Sequence, residues 1–155
     1  MGTPIAHNTI PLSIFFLLCF DPTTPRVRRK FLEIARLRRI VPPDFAIGYS
    51  GDWGVAEALL AGADAFYSVA GGLFPRPMAA LTSAAMAGDE SGTARLDAMF
   101  SPLWELFKAH GSLRVMYTAA NLMGLSSALP PRPLLPLGSD ITAKVDAAIA
   151  PLREA

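Results

Sequence analysis

Few side chains in this sequence could do chemistry, and the most promising lie in one short stretch. Ser50-Gly51-Asp52 sets a hydroxyl, a glycine and a carboxylate in a row, and Gly71-Gly72 follows further along. Glycine allows backbone conformations and close approaches that a side chain blocks, so at both places amides and carbonyls could face a small anion such as a carboxylate. The plainer alternative is a pair of ordinary glycine-bearing connections. Asp52 also has two readings, a general base or the N-cap of a helix starting near Trp53. Tyr67 and Tyr117 could donate protons, although buried tyrosines usually pack with one satisfied hydroxyl. His110 falls at a helix C-terminus, where a cation suits the helix dipole. His7 is uninformative, and Cys19 sits in an apolar run without a basic neighbour, which leaves its thiol unactivated. Lys30, Lys108 and Lys144 all fall on polar sides of expected helices, too well solvated for a nucleophilic amine.

The elements that would position these residues follow from periodicity. Residues 26–40, "RVRRKFLEIARLRRI", put Val27, Phe31, Ile34, Leu37 and Ile40 on one helical face with arginines around the rest, and Pro42-Pro43 stops the helix. Phe45 to Tyr49 is short, apolar and bounded by Pro43 and Gly51, which reads as a strand buried on both faces. A helix over Val55 to Leu60, a stop at Gly62 and a second strand over Ala65 to Ala70 complete a crossover unit. Its strands must be parallel, and both glycine-bearing loops then share the face at their carboxyl ends. Beyond Pro75 the pattern is helical: Met78 to Met86, Ser91 to His110, Leu113 to Met123, each ended by a glycine. Four prolines make "ALPPRPLLPLG" an extended packing segment, and Asp140 to Leu152 closes with a helix capped by Ser139 or Asp140.

Composition narrows the functional classes. The chain of 155 residues has the length of one ordinary domain, with a formal net charge of +1 that offers no footprint for nucleic acid. Hydrophobic residues make up 52% and charged ones 17%, against about 45–50% and about 25% in typical globular chains, so exposed apolar surface is expected. One cysteine and two widely separated histidines provide no internal disulfide and no zinc-ligand spacing, which points to a reducing cytoplasm and no metal. The run "IPLSIFFLLCF", Ile10 to Phe20, is too short for a membrane span. It reads as a buried strand or irregular core segment, a targeting segment, or a spurious start.

Residue order carries more than residue type. "IGYSGDWGVAEALLAGADAFYSVAGGLFP", followed by "PMAALTSAAMAGD", "ARLDAMFSPLWELF", "LRVMYTAANLMGL" and "PPRPLLPL", resembles the C-terminal part of the dihydrodipicolinate synthase / N-acetylneuraminate lyase family, from about Ala35 to the end. The resemblance implies an α/β fold, the last two or three strands of a (β/α)8 TIM barrel plus the family's extra C-terminal helices. Residues 26–155 would be this partial barrel, and residues 1–25 a divergent or irregular segment. It further implies a lyase that holds pyruvate or another 2-oxo acid as a Schiff base on a lysine, with no cofactor, for aldol-type bond making or breaking. On this mapping Ser50, Gly51, Asp52, Tyr67 and Gly71 line the substrate site, Gly51 near the 2-oxo-acid carboxylate and Tyr67 with its backbone toward the pyruvyl group.

The same likeness exposes departures. "TTPRVRRK" stands where the family carries its Schiff-base lysine: Arg26 holds the position, and Lys30 comes late, inside an expected helix. The family's first five strands have no counterpart, and a complete barrel takes about 250 residues. The expectation is a truncated, by itself inactive lyase, with residues before about Leu32 divergent or from a disrupted reading frame. The alternative is a non-catalytic small-carboxylate-binding or oligomerisation module. Self-association through an exposed barrel edge and the C-terminal helices follows from either, with a membrane role disfavoured.

Overall fold

The computed structural model describes residues 27–154, with side chains of the first helix from Glu33 onward. The apolar run Ile10 to Phe20, with Cys19 and His7, lies outside the described residues. Helix α1 (Val27–Ile40) leads to strand β1 (Gly48–Ser50), helix α2 (Val55–Leu60) and strand β2 (Ala65–Tyr67). Four helices follow: α3 (Pro75–Met86), α4 (Glu90–His110), α5 (Ser112–Leu122) and α6 (Ser139–Arg153). The strands are parallel, with Gly48 beside Ala65, Tyr49 beside Phe66 and Ser50 beside Tyr67. This is the strand, helix, strand crossover expected from the sequence.

Both strands are shorter than their apolar runs, because side chains claim the backbone at their ends. Ahead of β1, Arg38 donates to the carbonyls of Phe45 (3.0 Å) and Gly62 (2.9 Å) and to the Asp64 carboxylate. Asp64 in turn accepts from the Ile47 amide at 2.7 Å. This cluster pins the end of α1 to the starts of both strands. Past β2, the Val69 and Ala70 amides bond to a side chain, so the chain bends into a short 3-10 turn over Ala70–Gly72.

Neither strand is buried on both faces, which corrects the sequence reading. Alternation puts Tyr49 and Phe66 toward the helices, where Tyr49 is 4% exposed, while Gly48, Ser50, Ala65 and Tyr67 share the opposite, open face. Tyr67 is 43% exposed there. The apolar runs were long enough for a doubly covered strand, but the described residues supply cover on one side only.

Helix α4 is the spine, packing against α3, α5 and α6 and touching α2. Phe100, Leu103 and Phe107 repeat at helical spacing and are buried, and Phe100 stacks on Trp104 with centroids 4.9 Å apart. Asp89 caps this helix by accepting from the Gly92 amide at 2.9 Å. The cap of α6 is Gly138 and not Ser139 or Asp140. The expected apolar exposure is present, with Leu125, just after α5, and Leu129 and Leu135, on the proline-rich segment, each about two-thirds exposed.

Replacing Arg38 with Met removes three donated bonds and should lower stability by about 1–3 kcal/mol, read as a shift of the urea midpoint. An unmoved midpoint would mean that the cluster adds nothing. Burial raises the Asp97 carboxyl above its ordinary value, partly offset by the bond from Trp104 Nε1 at 3.0 Å. The folded chain then holds this proton more tightly than the unfolded chain, so the residue's contribution falls as pH rises through the window just above the ordinary carboxylate range and stays low at neutral pH. Asp97→Asn, which keeps an acceptor for Trp104, should be more stable than the parent at neutral pH, with the gap closing on acidification. Parallel stability curves for the two proteins would contradict this.

Candidate active-site rim

The carboxyl ends of β1 and β2 bring together the residues singled out from the sequence. Ser50 ends β1 beside Tyr67, which ends β2. Gly51 leaves β1 at φ +126°, a conformation open to glycine and strained for other residues, and Asp52 begins a 3-10 turn, Asp52–Gly54, that runs into α2. The N-cap of that turn is Gly51, and it has no side-chain cap bond, so Asp52 is not the cap proposed from local spacing.

Asp52 reaches across to the other loop instead. It is 2% exposed, and its Oδ1 accepts from Ser68 Oγ at 2.5 Å and from the Ala70 amide at 3.1 Å, while Oδ2 accepts from the Val69 amide at 3.2 Å. Ser68 Oγ accepts in turn from the Gly71 amide at 2.7 Å. Three successive amides of the loop after β2 are therefore turned toward one carboxylate and its hydroxyl partner. Amides that could face a small anion are here turned toward a carboxylate of the chain itself, Asp52. The Asp52 carboxylate is thus engaged with the loop after β2, and the Gly71 amide with Ser68 of its own loop. The signal was out of reach of sequence reasoning because Ser68 and Asp52 meet only once the strands pair.

The open face is lined differently. The ring of Tyr67 lies across Gly48, whose missing side chain leaves the space: a Cβ there would stand 2.8 Å from Tyr67 Cε2. Below the loop, the Tyr49 hydroxyl would lie 3.3 Å from a Cβ on Gly51. Burial pushes the Tyr49 hydroxyl up to about 12, helped by the negative charges of Glu57 and Asp52, so it remains protonated at neutral pH. Tyr117 lies apart, in a depression of about 290 Å³ that it shares with Val69, Gly72 and Leu73. His110 ends α4 as its sequence position implied. Lys30 lies in α1, among the residues whose side chains are not described, and Lys108 pairs with Glu105 on α4. Lys144 stands on α6 beside a shallow depression with Pro102 and Glu105. Among the described residues no cluster of potential metal ligands occurs, and no helix is long and apolar enough to cross a membrane.

Two adjacent parallel strands with helices on one face and glycine-bearing loops at their carboxyl ends define a segment of a (β/α)8 barrel rim. Residues 27–152 match the Dihydrodipicolinate synthetase family, and the chain belongs to it. The 4-hydroxy-tetrahydrodipicolinate synthase of Synechococcus elongatus is 36% identical over 111 residues, which cover 70% of this chain and 36% of that protein. The crystal structure of dihydrodipicolinate synthase from Agrobacterium tumefaciens superposes with a TM-score of 0.80 at 48% identity, over 90% of this chain and 45% of that one. A chloride-inhibited dihydrodipicolinate synthase from Acinetobacter baumannii, crystallised with pyruvate, superposes at 0.68 with 25% identity, over 82% and 42%. This chain thus spans less than half the length of each of these proteins, and it corresponds to the C-terminal part of their barrel with its helices.

Gly51→Ala should cost about 1–3 kcal/mol, since it forces a side chain into a positive φ beside the Tyr49 hydroxyl. Gly72→Ala, with nothing within 4 Å of the new Cβ, is the control and should be near neutral. Equal denaturation midpoints for the two variants would remove the backbone constraint at Gly51.

Proposed function

We propose that this chain carries part of the substrate rim of a Schiff-base lyase that makes or breaks a carbon–carbon bond on a 2-oxo acid, and that by itself it binds the acid without turning it over. The observation that carries this reading is the pairing of Ser50 with Tyr67 at the open, carboxyl end of two parallel strands, where barrels of this class gather their ligands. Ser50, Gly51 and the Tyr67 backbone are the groups that would meet the acid, pyruvate being the simplest candidate. Asp52, Ser68 and Gly71 stand behind them.

Turnover in such a lyase needs an amine that adds to the ketone and loses water, leaving an iminium that accepts the electron pair of the breaking bond. Neither Lys108, paired with Glu105, nor Lys144, on α6, stands at the rim, and Lys30 is the remaining lysine. That distribution supports binding without catalysis, in the reducing cytoplasm suggested by the single cysteine. A second reading, an association module, is favoured by the exposed Leu125, Leu129 and Leu135. The two are compatible, and sedimentation across a range of protein concentration separates a self-associating chain from a monomer.

The decisive experiment adds pyruvate to the purified chain, follows ligand signals by saturation-transfer NMR, then reduces with borohydride and weighs the intact protein. Saturable binding without covalent addition is expected. A reduced pyruvyl adduct on Lys30 would overturn the non-catalytic half of the reading, and unchanged ligand signals at high pyruvate would overturn the binding half.

A further inference from the structure

The geometry points to Asp52 and Ser68 as positioning residues: we infer that they lock the loop after β2 to the loop after β1 and so set the shape of the rim. For its ligand-binding consequence the inference rests on the 2-oxo-acid reading above. Asp52 sits at the head of the turn into α2, and its partners all belong to the chain leaving β2. A buried carboxylate strongly favours a full set of donors, and here the donors are one hydroxyl and two backbone amides. Backbone amides cannot change rotamer, so meeting the carboxylate fixes residues 69 and 70 as well as the side chain. Ser68 extends the lock by one residue, because the hydroxyl that donates to Asp52 also accepts from Gly71.

The consequence falls on Ser50, Gly51 and Tyr67, the residues on the ligand side. Gly51 and Asp52 are consecutive, as are Tyr67 and Ser68, so each locked residue adjoins one that faces the open end. With only three paired residues in each strand, the ladder alone does not extend past Ser50 and Tyr67. The Asp52 bonds continue the connection between the two chains beyond that point. Asp52 thereby acts on a ligand through Gly51 and Tyr67 without touching it.

The test uses the full chain with Ser68→Ala, Ser68→Thr and Asp52→Asn, and two readouts. Hydrogen exchange at the amides of residues 69–71 reads the lock directly, with amides of α4 as the internal reference. Ser68→Ala should speed exchange at Gly71 and Ala70 by roughly ten- to hundred-fold and leave α4 unchanged, while Ser68→Thr, which keeps the hydroxyl, restores protection. Asp52→Asn turns an amide donor toward a backbone donor and should release Val69 and Ala70 in the same way. Unchanged exchange at these amides in both Ser68→Ala and Asp52→Asn would overturn the lock. Pyruvate affinity is the second readout. Where the parent binds, Ser68→Ala should bind roughly tenfold more weakly, and equal affinity would overturn the positioning role. A parent that does not bind pyruvate contradicts the functional reading alone, and the exchange data then decide the lock by themselves.

Discussion

A carboxylate removed from water must be met by donors, and in this chain the requirement falls on Asp52. Its three bonds join two segments that are far apart in sequence and adjacent only because β1 and β2 pair in parallel. The dependence runs both ways. Without the parallel register, Ser68 to Ala70 would not reach Asp52. Without Asp52, a buried amide at Ala70 would lose its acceptor at the place where the ladder has already ended. A similar device works at the opposite end of the strands, where Arg38 and Asp64 hold the entries to the sheet. The two-stranded sheet is thus fastened by side chains at both ends and by the helical layer on one face.

This arrangement explains how so short a sheet can hold a defined rim. Three residue pairs give little ladder, and isolated two-stranded sheets are marginal. The helices compensate by burying Tyr49 against a core whose centre is the aromatic stack of Phe100 and Trp104 on α4. The family's barrel architecture uses the same principle, strands ordered by the helices outside them, with ligands gathered at the carboxyl ends. Here the open face carries Gly48 and Tyr67, and the absence of a side chain at Gly48 leaves the space that the tyrosine ring occupies.

The helices were legible because their signals are local. Apolar spacing of three and four marks α4, and Asp89 and Gly111 bound it within a residue of the expected ends. Strand existence and parallel direction were legible too, from two apolar runs joined by a short helix. Strand ends were not, because the groups that terminate the ladder lie far away: Arg38 and Asp64 act on Phe45 and Ile47, and Asp52 acts on Val69 and Ala70. The capping role that local spacing suggests for Asp52 fails for the same reason. Locally an aspartate before a helix is a cap, and only the folded register offers it better donors. Burial on both strand faces was misread because apolar content reports the environment a strand suits, not the cover the described residues provide.

Everything at the rim turns on the Asp52 carboxylate being the group held by the loop after β2. Long-range scalar couplings across hydrogen bonds, measured by NMR on uniformly labelled protein, test it most directly. Correlations from the Val69 and Ala70 amide nitrogens to the Asp52 carboxyl carbon are expected. Correlations from those amides to backbone carbonyl carbons instead would contradict it.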